Sequence, residues 1–304
     1  MVSDVERLVL GCLYLAISVS FIAIQAFSLY IIASRKEFRQ QTAYIIMFHA
    51  GLFDCTILIS GLNASAMTLT NSKFIVAIEQ FFAGVQDSSW MTTIVIDLLL
   101  ALNRLDVVTV SLNVPTATKE RVAIWLIAFV WLYWVALVVL HLIPDNGVRF
   151  SLDNLFFGFT KGPISSLIEG IELYTTGPIV CCVLIIYIVI GISMLVKRRK
   201  YAKDNLHIKS DRHEIRILTQ AVIMFSSVFA IVLTWHLGDY FLPSSVWSGR
   251  GVYISYLLRA GLTPFMSLLF NRRFRQAALG ILQRQEETSI AALKRTSVHG
   301  TTAR

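Results

Sequence analysis

The chain has 304 residues, of which 56% are hydrophobic and only 15% charged. That balance is too apolar for a water-soluble domain, so soluble enzymes and binding modules are set aside in favour of a chain that crosses a membrane many times. The formal net charge of +8 acquires meaning only from where the bases fall.

A span needs about 20 apolar residues to cross the hydrocarbon core. Seven such windows can be drawn, at residues 8–33, 42–67, 77–107, 122–143, 172–196, 215–242 and 252–270. The opening MVSDVERLVL has no basic stretch before its apolar run, so the first window reads as an uncleaved signal anchor. The third is long enough to tilt, with Glu79 expected to mark a wet outer turn. No repeat relates the first spans to the last, which counts against transporter folds built from duplicated halves.

Lys and Arg fix the orientation. The segments after spans one, three (counted from Arg104) and five, and the C-terminal tail, hold 3, 3, 8 and 7 of them, together 21 of 27. That side is cytoplasmic, so the N-terminus is outside and the C-terminus inside. The excess charge therefore belongs to loops beside a lipid bilayer, and no nucleic-acid partner is expected. Cys12, Cys55, Cys181 and Cys182 all fall inside spans, where they pack as small apolar groups. Neither an extracellular disulfide nor a zinc site can be drawn from them.

The outer loop 144–170 suits an ordered connector or a lid over a cavity. The basic inner loop 197–216 extends spans five and six as helices beyond the lipid. Residues 271–284 put Phe274, Ala278, Ile281 and Leu282 on one face with Arg272, Arg273 and Arg275 elsewhere, the pattern of an amphipathic helix lying on the membrane surface. The organisation is then a bundle over 1–270, an interfacial helix over 271–284 and a disordered tail over 285–304, open to phosphorylation at Thr288, Ser289, Thr296 and Ser297.

Charges inside the spans carry the functional argument. Arg104 ends an apolar run at the inner boundary, as a snorkelling anchor or as a working group. Asp97 lies on nearly the same helix face, roughly 10 Å deeper at about 1.5 Å per residue. Counting rise from the span ends puts Asp54 about 12 Å and Arg259 about 10 to 12 Å below the outer boundary. Matched depth makes them an expected ion pair, against the alternative that each faces water in a central cavity. On the same measure Asp97, at roughly 20 Å, and Asp239, at about 5 Å, fit Arg259 less well.

Seven spans, an outside N-terminus, Asn103-Arg104-Leu105 at the inner end of span three, Asp54 in span two, and Thr263-Pro264 followed by Phe274 together resemble the rhodopsin-like G-protein-coupled receptors. The runs IMFHAGLFD, ending at Asp54, and LALNR, ending at Arg104, look like the nematode serpentine chemoreceptors of class T or class X. The resemblance implies an all-α seven-helix membrane bundle with a C-terminal amphipathic interfacial helix. It implies a small-molecule ligand in the outer half, contacted by Gln86, Asp87, Trp90, Trp235 and Asp239. It also implies a heterotrimeric G protein at the inner face, near Asn103, Arg104 and Glu214, with a receptor kinase and arrestin acting on the tail. The site would be the plasma membrane, in a sensory-neuron cilium. No cofactor, metal or enzymatic activity is implied.

Three departures from that family matter. Its outer disulfide is missing, so a lid must be held by other means. Span six has Thr234-Trp235-His236-Leu237 without a kinking proline, although Pro178 remains in span five. Asn103 replaces an acid, which leaves Asp106 and Glu214 as candidate partners for Arg104. An opsin would need a Lys in span seven for a Schiff base, and only Arg259 is there. The alternative function is a seven-helix channel or transporter, with Asp54, Asp87, Asp97, Asp239 and Arg259 lining a pore. His49, His141 and His236 have no metal-ligand spacing and are expected to be packed and satisfied.

Overall fold

The computed structural model describes residues 2–109, 116–144, 146–203, 211–243, 245–281 and 283. The seven spans are α1 (Asp4–Ser34), α3 (Thr42–Thr70), α4 (Val76–Thr109), α5 (Thr116–His141), α6 (Pro163–Lys203), α7 (Asp211–Phe241) and α8 (Val246–Phe270). Between α1 and α3 lies the short α2 (Lys36–Arg39), and between α5 and α6 a hairpin of β1 (Val148–Ser151) and β2 (Phe156–Phe159). After α8 comes a last helix, α9, over residues 272–281. The tail 285–304 and Leu282 lie outside the described residues.

Local chemistry sets the helix ends. Ser3 caps α1 in a reciprocal box with Glu6, at 3.2 Å for Glu6 N–H to Ser3 Oγ and 3.0 Å for Ser3 N–H to Glu6 Oε2. α3 stops at Asn71, which takes the left-handed conformation (φ 51°) and donates its N–H to Met67 O. Asn71 also accepts from the Arg7 guanidinium, tying the outer ends of α1 and α3 together.

Six of the spans are long and apolar enough to cross a membrane by composition alone, and α4 is the exception. Its outer half is studded with Gln80, Gln86, Asp87, Ser88, Ser89, Thr92 and Thr93, every one of them buried. α4 can be this polar because it runs through the middle of the bundle against α3, α5 and α6, not against lipid. The hydroxyls of Ser89, Thr92 and Thr93 bond back to carbonyls four residues earlier, as Thr92 does to Ser88 O at 2.7 Å.

The core is closed by small residues as much as by large ones. α1 packs along α3 and α8, and a Cβ placed on Gly61 would meet Ser18 and Leu257, while one placed on Gly261 would run into the Phe21 ring. Glycine at these contacts lets the helices approach closely, which is how helices associate in lipid.

One expectation is corrected here. Glu79 is not a wet outer turn but 1% exposed, because the hairpin folds over it. The C-terminal helix is present as α9, and its Phe274 (0% exposed), Ala278 and Ile281 pack with Phe38 of α2, Tyr44 of α3 and Ile31 and Ile32 of α1. Asn271 Nδ2 donates to Tyr44 Oη at 2.7 Å and holds the α8–α9 corner against α3. The neighbouring short helix supplies an apolar partner that a single-helix reading of residues 271–284 has no way to include.

Gly261→Val tests the close approach. Overpacking a tight contact costs about 1–3 kcal/mol, so cell-surface expression of an epitope-tagged chain should fall sharply. Unchanged expression would mean that α1 and α8 can separate at little cost.

Candidate functional site

α4 passes three features in turn, from outside to inside: a small cavity, a buried ion cluster and a larger inner cavity.

The outer cavity, about 40 Å³, is lined by Gln86, Asp87 and Trp90 of α4, Glu172 of α6, Trp235 of α7, and Tyr253 and Tyr256 of α8, among others. Four of the five ligand residues expected from the sequence therefore meet in one place. The fifth, Asp239, lies on α7 one turn beyond Trp235, with its side chain outside the described residues. The Trp90 and Tyr256 rings lie 4.7 Å apart, and Tyr256 Oη donates to Gln86 O at 3.0 Å. Asp87 is not free: its Oδ2 is 2.9 Å from His141 Nε2, and His141 Nδ1 is 2.9 Å from Leu137 O. His49 is engaged too, since Trp131 Nε1 donates to its Nδ1 at 3.1 Å. His236 differs, because its buried Nε2 has no hydrogen-bond partner.

The hairpin roofs this cavity. Phe150, Leu155 and Phe157 are buried in one cluster with Tyr14 of α1 and Tyr253 and Leu257 of α8, so the loop is a plug and not a surface connector. Without a disulfide it is pinned by polar clamps from three helices. Glu79 of α4 accepts from Phe150 N–H at 2.5 Å and from Arg149 Nη1 at 3.2 Å. Arg250 of α8 donates to Asn154 O at 3.0 Å, and Tyr14 Oη to Leu155 O at 2.9 Å. Leu155 sits at φ 65°, a costly conformation for a leucine, and is held there by its full burial and by the Tyr14 bond.

Below the cavity, Arg259 of α8 is 3% exposed and forks between two acids. Nη1 lies 3.2 Å from Asp54 Oδ1 on α3, and Nη2 lies 2.7 Å from Asp97 Oδ2 on α4. The depth argument that set Asp97 aside fails, because a planar guanidinium on a long side chain reaches acids at two depths at once.

At the inner end, a cavity of about 300 Å³ opens between Tyr44, Asn103, Arg104, Tyr187, Lys197 and Arg273, among others. Arg104 Nη1 donates to Tyr187 Oη of α6 at 3.0 Å. Lys197 reaches Val108 O across the same cavity. Glu214 is in α7, but its side chain lies outside the described residues.

Sequence reasoning missed Glu172, Tyr187 and Tyr256. Glu172 stands where the fifth apolar run begins and reads as a wet boundary, whereas α6 starts a further nine residues outward, at Pro163. That extra length puts Glu172 inside the bundle. Tyr187 and Tyr256 sit in apolar runs with no local signal to single them out.

The family model described as "Serpentine type 7TM GPCR chemoreceptor Srx" matches residues 17–271. Among solved structures, squid rhodopsin superposes with a TM-score of 0.73 at 13% identity, over 91% of this chain and 85% of that one. That likeness concerns the fold. No curated protein matches the chain by sequence.

Two predictions follow from the clamps and the ion cluster. Removing one partner of a buried pair costs about 3–5 kcal/mol, and loss of Arg259 strands two acids where loss of either acid leaves a pair. Surface expression should therefore fall further for Arg259→Ala than for Asp54→Asn or Asp97→Asn. Equal losses for all three would show that the cluster does not share its charge. For the hairpin, Glu79→Ala should speed amide exchange across 148–159 while the α4 core stays protected. Unaltered exchange would show that the other clamps suffice.

Proposed function

Because this chain belongs to the Srx family of serpentine type seven-transmembrane GPCR chemoreceptors, we propose that it is a plasma-membrane chemosensory receptor that binds a small molecule in the outer cavity and activates a heterotrimeric G protein from the inner one. The observation that carries this reading is that one helix, α4, lines both cavities. Gln86, Asp87 and Trp90 face the outer cavity, and Asn103 and Arg104 face the inner one. A ligand that favours one packing of α4 over another shifts the population of the inner face. On this reading Arg104, held by Tyr187, is the group that the G protein engages. The cytoplasmic tail is the substrate of a receptor kinase and the docking segment for arrestin, and a sensory cilium is the natural location.

The test is nucleotide exchange on a purified G protein by the receptor in nanodiscs. Loss of a charge-assisted contact worth about 1.5–3 kcal/mol lowers exchange by about tenfold or more, so Arg104→Ala should fall by that much at equal receptor level. Tyr187→Phe should change the basal rate while leaving Arg104 available. Undiminished exchange in Arg104→Ala, or ion flux through receptor liposomes without exchange, would overturn the reading in favour of an anchor or a conductor.

A further inference from the structure

The residues lining the outer cavity include two carboxylates, Asp87 and Glu172, and no Lys or Arg. Asp87 already has a partner in His141, whose Nε2 lies 2.9 Å away. Glu172 does not have an equivalent one. Its side chain is 2% exposed, and its donors are neutral: the Trp235 indole N–H, 3.3 Å from Oε2, and the Trp90 indole. Facing Oε1 is His236 Nε2, on a side chain only 9% exposed. The separation is 3.9 Å, beyond the 2.7–3.2 Å of a direct hydrogen bond, and His236 Nε2 has no hydrogen-bond partner. A buried carboxylate and a buried imidazole nitrogen thus look at each other across a gap that neither fills.

Aromatic faces complete the surroundings. Trp90, Phe157, Trp235, Tyr253 and Tyr256 all line the same cavity. An organic cation is attracted to the face of such a ring, the more so when desolvated. A buried acid facing apolar walls is costly unless it is paired. Chemically, the site suits a positive charge that brings N–H donors to Glu172, with an apolar body to meet the rings. A carboxylate ligand would be repelled, and an alcohol would bring a donor but no positive charge.

We propose that the cavity is a binding site for a small primary or secondary amine in its ammonium form, with Glu172 as the charge partner and the aromatic side chains around its hydrocarbon portion. The proposal rests on the receptor reading above and names the ligand class of that site. At about 40 Å³ the cavity holds the ammonium head. A longer tail enters by displacing Phe157, and with it the hairpin, from between the tops of α4 and α8.

The test reads binding, not signalling, so it fails separately from the G-protein reading. Full-length receptor in nanodiscs is melted in the presence of ethyl-, butyl-, hexyl-, benzyl- and phenethylamine, and of the matching alcohols and carboxylic acids. At least one amine should raise the unfolding temperature with an apparent affinity about tenfold or more above that of its own alcohol, and the matching acid should give no shift. Glu172→Gln should abolish that preference. The class assignment is overturned if no amine shifts the unfolding temperature, if alcohols or acids do as well as amines, or if a folded Glu172→Gln retains the preference. The wild-type comparison decides the class alone, so the proposal stays exposed to failure even if Glu172→Gln does not fold.

Discussion

A guanidinium cannot give up its proton to escape a low-dielectric environment, and the fold is organised around that fact at Arg259. Burying it requires acids, and the chain supplies one from α3 and one from α4. α3, α4 and α8 are thereby tied together inside the bundle. The arrangement sets two acids against one base, and Asp97, at 22% side-chain exposure against 0% for Asp54, is the acid that keeps contact with water. α1 then closes on this framework through Gly61 and Gly261, where the absence of a side chain lets α3 and α8 come near.

The outer end obeys a different constraint. A hairpin placed over a cavity has to be held there, and this chain does so without a covalent bond: all four of its cysteines are free. Glu79, Arg250 and Tyr14 replace one strong link with several weaker ones. Each clamp binds a backbone group of the hairpin, so the plug is fixed in position while its apolar side chains do the sealing. Hydrogen bonds of this kind contribute about 1 kcal/mol each, rising to about 1.5–3 where a charge is involved. A lid held by separable bonds can open in stages, which suits an entrance better than a fixed cap.

What could be read from the sequence, and what could not, divides along physical lines. Hydropathy marks the spans well because lipid imposes length and apolarity on each one independently. Even α4, the least apolar, is recognisable from its inner half. Partner choice is harder, because it depends on side-chain reach and on elements far away in the chain. Asp54 and Arg259 could be matched by depth, but the fork to Asp97 needed the guanidinium's shape. Glu79 and Glu172 both look like boundary acids and are both buried, one because a hairpin folds over it and the other because α6 begins further out. The apolar face of α9 was legible as a stripe, yet the choice between lipid and protein rests on Phe38, in a four-residue helix that hydropathy does not detect.

The same contacts join the two cavities. Tyr256 of α8 packs on Trp90 and bonds to Gln86 O at the outer cavity, and Arg259 lies three residues, or about one turn, further along the same helix. Arg259 holds Asp97, and Asp97 stands two turns above Arg104 on α4, where Tyr187 of α6 is bonded. An occupant that moves Tyr256 cannot leave the turn carrying Arg259 undisturbed, because a packed helix shifts as a unit. The salt bridge passes that shift to α4 at the level of Asp97. Energetic coupling between distant sites travels through contiguous packing and ion pairs of this sort. On the proposed receptor reading, coupling is reciprocal, so a partner that drew Arg104 and Tyr187 into a different arrangement at the inner face would also alter the affinity of the outer cavity. The small outer cavity and the wide inner one are thus joined by one run of contacts, with Arg259 between them.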